Sequence, residues 1–73
     1  MAFDGPNLAA LRARRKLTQG QLAAKAGCAR MSVYRWETGR HQPQLGEILC
    51  LAAALGVRPE RLIQGRPLGK KGS

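Results

Sequence analysis

Arg30, Met31, Tyr34, Arg35 and Thr38 fall at helical spacing on one side of a short segment, while Val33 and Trp36 fall on the other. The first side can hydrogen-bond and carries positive charge, so its chemistry is that of a surface that reads a polyanion. A guanidinium can bond both major-groove acceptors of a guanine, which makes Arg30 and Arg35 the leading candidates for base contact. Met31 turns outward by the same spacing and suits a thymine methyl better than a core. Tyr34 suits either a phosphate or the side of a base. Ser32, on the flank, reaches either a base or the backbone. Trp36 is the only Trp in the chain and shares the inner side with Val33, so it reads as core rather than as a stacking platform.

Such a face needs a second helix to hold it. Between Thr18 and Gly39 the run TQGQLAAKAGCARMSVYRWETG reads as two short helices joined by a tight turn at Gly27. Leu22 and Ala26 sit four apart on the first helix, and Ala23 is small where the two backbones would cross. Thr18 is a good N-cap, with Gln21 three residues on as the other half of a capping box. Gly20 inside that first turn costs about 1 kcal/mol relative to Ala. Thr18 and Gln19 stand at a helix N-terminus, where free N–H groups and the positive dipole end favour a phosphate. Past Gly39, the polar loop of Arg40, His41 and Gln42 forms a second clamp for a nucleic-acid backbone. Glu37, one of only four acids, sits between the inner side and Arg12. An ion pair with Arg12 is a better reading of it than a catalytic role.

The remaining chain frames this pair. Residues 1–6 read as a flexible N-terminus, with Pro6 suited to a first helical turn and Asp4 or Asn7 to its cap. Leu8 and Leu11 give a first helix its inner face up to about Lys16, and Leu17 closes its end. Arg14, Arg15, Lys16 and Lys25 read as a solvated face. The helix after Gly27 runs from about Ala29 or Arg30 to Thr38. In the fourth helix Leu45, Ile48, Leu49, Ala52 and Leu55 form one stripe, and Gly56 ends it. Pro59 starts a short fifth helix with Leu62 and Ile63 as its apolar pair. Residues 7–64 are therefore expected to form one all-α, five-helix domain, followed by a basic flexible tail over residues 65–73.

Seventy-three residues make one small domain, and thirteen Lys and Arg against four Asp and Glu leave a formal charge of +9. That balance argues for nucleic acid first and an anionic membrane surface second. Charge alone, however, would give steep salt dependence and no base preference. Cys28 and Cys50 make neither a disulfide framework nor, with His41 as the only histidine, a zinc site of about four ligands. No metal or cofactor is expected. His41 has no nucleophile, paired carboxylate or oxyanion-hole motif to accompany it, so the reading is not an enzyme. The opening MAFDGPN lacks a basic start and an apolar run, and Ile48 to Leu55 is too short to span a bilayer. Reduced thiols and a cytoplasmic setting follow as expectations.

The string Leu17-Thr18-Gln19, Leu22-Ala23, Ala26-Gly27, Val33, Trp36-Glu37 and Gly39 resembles the Cro/cI-type (XRE-type) helix-turn-helix domain. Pro43, Leu45, Ile48, Leu51-Ala52, Leu55-Gly56-Val57 and Leu62-Ile63 extend the resemblance over roughly residues 8–63. It implies a lambda-repressor-like five-helix fold that binds double-stranded DNA as a homodimer, with the third helix in the major groove. It places Gln19 on the DNA edge of the site, Arg30, Met31 and Arg35 at bases, and Arg12 with Glu37 as an ion pair. Pairing of two copies through Arg58 to Ile63 is a further implication. The expected role is a sequence-specific transcriptional regulator, repressor-like, in a bacterial or phage-infected cytoplasm, with RNA polymerase as a possible contact. The alternative is an antitoxin-type module that holds a toxin and binds DNA secondarily. Four positions depart from the pattern. Ala29, Gln44 and Arg58 stand where capping residues are usual, and Cys50 stands where a charged residue is common.

Overall fold

Asp4 sets the start of the first helix: its carboxylate accepts the Asn7 backbone N–H at 3.0 Å, with Pro6 in the first turn. A computed structural model describes residues 2–64. Within it, four α-helices follow one another as α1 (Gly5–Arg14), α2 (Gln19–Ala26), α3 (Arg30–Glu37) and α4 (Leu45–Leu55). A 3₁₀ turn over Pro59–Leu62 and two short strands, β1 (Ala2–Phe3) and β2 (Ile63–Gln64), complete the fold. The basic tail expected over residues 65–73 lies outside the described residues.

Local chemistry explains most of the boundaries. Thr18 caps α2 with both bonds of a capping box: Gln21 N–H to Thr18 Oγ1 at 3.0 Å and Thr18 N–H to Gln21 Oε1 at 2.8 Å. Gly27 then turns the chain at φ 76°, a left-handed conformation that glycine adopts without steric penalty. Ala29, the N-cap residue of α3, offers no side-chain cap, as its sequence implies. The cap missing at Gln44 is compensated three residues later, where Glu47 Oε1 accepts the Gln44 N–H at 2.7 Å. Arg58 likewise offers no side-chain cap to the 3₁₀ turn.

The core gathers Leu8 and Leu11 of α1, Leu22 of α2, Val33 and Trp36 of α3, and Leu51 and Leu55 of α4, closed by Leu62. Helix α2 packs chiefly on α3 and α4, which is what fixes the orientation of α3.

Three expectations need correction. The fifth helix is a single 3₁₀ turn, because after Leu62 the chain extends: Ile63 (φ −121°, ψ 128°) belongs to β2, not to a helical apolar pair. The N-terminus is not loose from Ala2 onward. Ala2 and Phe3 pair antiparallel with Gln64 and Ile63, Phe3 is buried, and α1 begins at Gly5. Finally, Leu45 and Leu49 leave the inner stripe and stand 67% and 48% exposed. The set Ile48, Leu51, Ala52 and Leu55 fills one helical face by itself. Leu49 is turned about 100° from Ile48, and Leu45 belongs to the opening turn.

Candidate nucleic-acid interface

The two sides of α3 separate cleanly. Val33 is fully buried and Trp36 is 5% exposed, whereas Met31 is 46% and Tyr34 38% exposed, with Arg30 and Arg35 also in solvent. Ser32 lies between, half-buried. Burying the large Trp indole gains the most apolar area on this helix, and Met31 is left in solvent beside the arginines. Thr38 adds little outward chemistry: its hydroxyl donates back to Tyr34 O at 2.9 Å.

The tail of α3 is locked by charge. Glu37 accepts from Arg12 Nε at 2.6 Å, Arg12 Nη2 at 3.3 Å and Gln19 Nε2 at 3.0 Å. Arg12 Nη1 also donates to Leu17 O at 2.8 Å. One carboxylate thus ties α1, the start of α2 and the end of α3 together, and the expected ion pair is present. Gln19 spends its amide inside this network, so its outward chemistry is that of the α2 N-terminus on which it stands. The Thr18 hydroxyl is exposed and serves as the cap. The stem of Arg30 runs beside the same turn, with Cδ 3.5 Å from where a Gly20 Cβ would stand. Arg30 therefore lies beside the N-terminal turn of α2.

Arg40, His41 and Gln42 are exposed in the loop after α3. The loop is held by its backbone, Arg40 N–H and His41 N–H donating to Arg35 O at 2.9 and 3.3 Å. Gln42 is held by its side chain, whose Oε1 accepts the Phe3 N–H at 3.2 Å. A shallow groove between this loop, α3 and the start of α4 is lined by Ser32, Arg35, His41, Gln42 and Glu47, with Trp36 at its floor. Sequence reasoning missed Glu47, which is both the N-terminal acceptor of α4 and the acid of this groove; the Gln44-x-x-Glu47 spacing was the available signal.

The two thiols share a second groove, with Gly27, Trp36, Glu47 and Leu51. Cys28 is half-buried and Cys50 exposed. Burial, then the Glu47 carboxylate, then Cys50 push the Cys28 thiol above its ordinary value, which holds it as the unreactive thiol. Iodoacetamide at about pH 8 is expected to alkylate Cys50 well before Cys28. Peptide mass mapping over a time course checks this, and equal rates would contradict the burial of Cys28.

Among the described residues no helix is long and apolar enough to cross a membrane. A family model described as a helix-turn-helix domain matches residues 5–64. The immunity repressor protein of Bacillus phage phi105 is 36% identical over 67 residues, which cover 92% of this chain and 46% of the repressor. The restriction-modification controller protein C.AhdI from Aeromonas hydrophila has a TM-score of 0.79 at 37% identity, covering 81% of this chain and 89% of the controller. The P22 c2 repressor protein, solved in complex with a synthetic operator, has a TM-score of 0.81 at 26% identity, covering 90% of this chain and all of that one. The chain spans less than half the length of the curated relatives it matches.

Proposed function

The chain belongs to the Cro/cI-type helix-turn-helix domain family, and from that membership we propose that it is a sequence-specific, double-stranded DNA-binding transcriptional regulator of the repressor type. The single observation that carries the reading is the division of α3: Val33 and Trp36 fill the core while Arg30, Met31, Tyr34 and Arg35 face solvent. A helix so held fits the major groove of a duplex, which is about 12 Å wide. In this reading Arg35 and Arg30 bond guanine acceptors, Met31 meets a thymine methyl, and Ser32 and Tyr34 complete the contact to bases. Thr18 and Gln19, on the α2 N-terminus, and Arg40 and His41 take the flanking phosphates. The chain acts by occupying DNA rather than by catalysis, in the cytoplasm, as a homodimer on half-sites about 34 Å apart. RNA polymerase is the partner through which an occupied promoter would be read.

The test is affinity for duplexes selected from a random pool by the chain itself. Arg35→Ala is expected to lose about tenfold or more on the selected duplex, the equivalent of 1–3 kcal/mol, and far less on random DNA. Equal affinity of the wild-type chain for selected and random duplex would defeat the reading.

One observation favours a second reading, the antitoxin-type module. Leu45 and Leu49 leave an apolar strip of α4 in solvent, which suits a protein partner, either a toxin or another copy. A stoichiometric toxin retained on the purified chain, and released by Leu49→Glu, would promote it.

A further inference from the structure

Four residues at the start of the chain touch three separate parts of the fold. Phe3 is buried and pairs with Ile63, and the Asp4 N–H donates to Leu62 O at 2.7 Å. Asn7 Nδ2, in the first turn of α1, donates to Arg61 O, so the start of α1 is also tied to the 3₁₀ turn. Gly5 packs directly on the last carbonyls of α3: a Cβ there would stand 2.5 Å from Trp36 O and 2.8 Å from Glu37 O. The Phe3 N–H, finally, reaches the loop beyond α3 and donates to Gln42 Oε1 at 3.2 Å.

We infer that residues 2–5 form a strap that positions the end of α3 and the Arg40–Gln42 loop for duplex binding, with Gln42 Oε1 as the tie between strap and loop. The inference rests on the DNA reading above. Its chemistry is that of the acceptor. Gln42 Oε1 is used within the domain, and the bond spans 39 residues of sequence, so it can tie the loop down in a way that no local bond can. The loop it holds carries Arg40 and His41, both exposed beside the exposed side of α3. A loop left free must be ordered each time a duplex binds, and that ordering lowers affinity without altering any contact in the complex.

Two measurements on the full chain and three variants decide the matter. In the free protein, hydrogen exchange reads the Arg40 and His41 amides, which donate to Arg35 O. Gln42→Ala and a chain lacking the residues before Asp4 are each expected to exchange these amides faster while Leu22 and Leu51 keep their protection. Gln42→Glu retains an acceptor and keeps wild-type protection. On duplexes selected by the wild-type chain, measured well below the unfolding midpoint, each of the first two variants is expected to lose roughly fivefold in affinity. Combining them is expected to lose no more than the truncation alone, because without Phe3 the Gln42 side chain has no N–H there to accept. Unchanged exchange in both variants would overturn the strap whatever the DNA result. Faster exchange with unchanged affinity, or additive losses, would overturn the positioning role. A wild-type chain with no preference among duplexes would overturn the DNA reading, and with it the positioning role, while exchange still decides the strap.

Discussion

Gly5→Ala is expected to destabilise the domain by about 3 kcal/mol, against the usual direction for that change in a helix. In an exposed first turn, replacing Gly by Ala stabilises by about 0.5–1 kcal/mol, since glycine loses the most backbone freedom on folding. Here the new methyl has nowhere to go. Its carbon would stand 2.5 Å from Trp36 O and 2.8 Å from Glu37 O, and both obstacles are backbone. Neither can retreat at low cost, because Trp36 is anchored in the core and Glu37 by Arg12. Thermal unfolding should show a fall of more than about 10 °C, given about 4–8 °C per kcal/mol in a domain of this size. An unchanged or raised midpoint would mean that α1 does not approach the end of α3 so closely.

Removing Arg12 is expected to cost nearly as much. Arg12→Met takes two donors from a carboxylate whose side chain is 6% exposed and leaves Gln19 as its remaining side-chain partner among the described residues. A buried charge stripped of its counter-ion costs about 3–5 kcal/mol, and the 21% exposure of Arg12 argues for the lower end of that range. The informative comparison is the pair. Glu37→Met in the Arg12→Met background should recover most of the loss, since well-packed apolar residues replace a buried ion pair at little net cost. Urea unfolding of the two single variants and the double variant gives the coupling directly. Additive losses would show that the two side chains do not depend on one another.

These two predictions differ in how far the sequence foretold them. The Arg12–Glu37 pair could be anticipated, as could the cap at Thr18, the turn at Gly27 and the inward Val33 and Trp36. The last three depend on residues within one or two helical turns or on the spacing of a single helix face, whereas the ion pair, 25 residues apart, is what the family resemblance implies. The Gly5 contact could not. Its meaning lies in carbonyls more than thirty residues away, and nothing beside Gly5 in the chain marks it. The same holds for Phe3: a strand of two residues has no periodicity, and its partners Ile63 and Gln64 are about sixty residues distant. Ile63, which pairs with Phe3, is extended for the same long-range reason, although Leu62-Ile63 reads as a helical apolar pair in the sequence. Gln42 lies at the surface as expected, and its bond to the Phe3 N–H could not be foreseen, because composition does not show a partner 39 residues away. Leu45 and Leu49 erred in the other direction. Leucine spacing on α4 fits a stripe one residue wider than the core it meets.

In the proposed function the exposed side of α3 reads the duplex, with Arg35 as a leading base contact. The most direct measurement uses a duplex selected by the wild-type chain, with each guanine in turn replaced by 7-deazaguanine, which lacks the N7 acceptor of the major groove. The account predicts at least one position where the replacement weakens the wild-type chain by about tenfold and leaves Arg35→Ala unaffected. If no guanine in the selected site responded, or if Arg35→Ala lost as much as the wild-type chain at every one, Arg35 would not be reading the major groove and the central claim would be wrong.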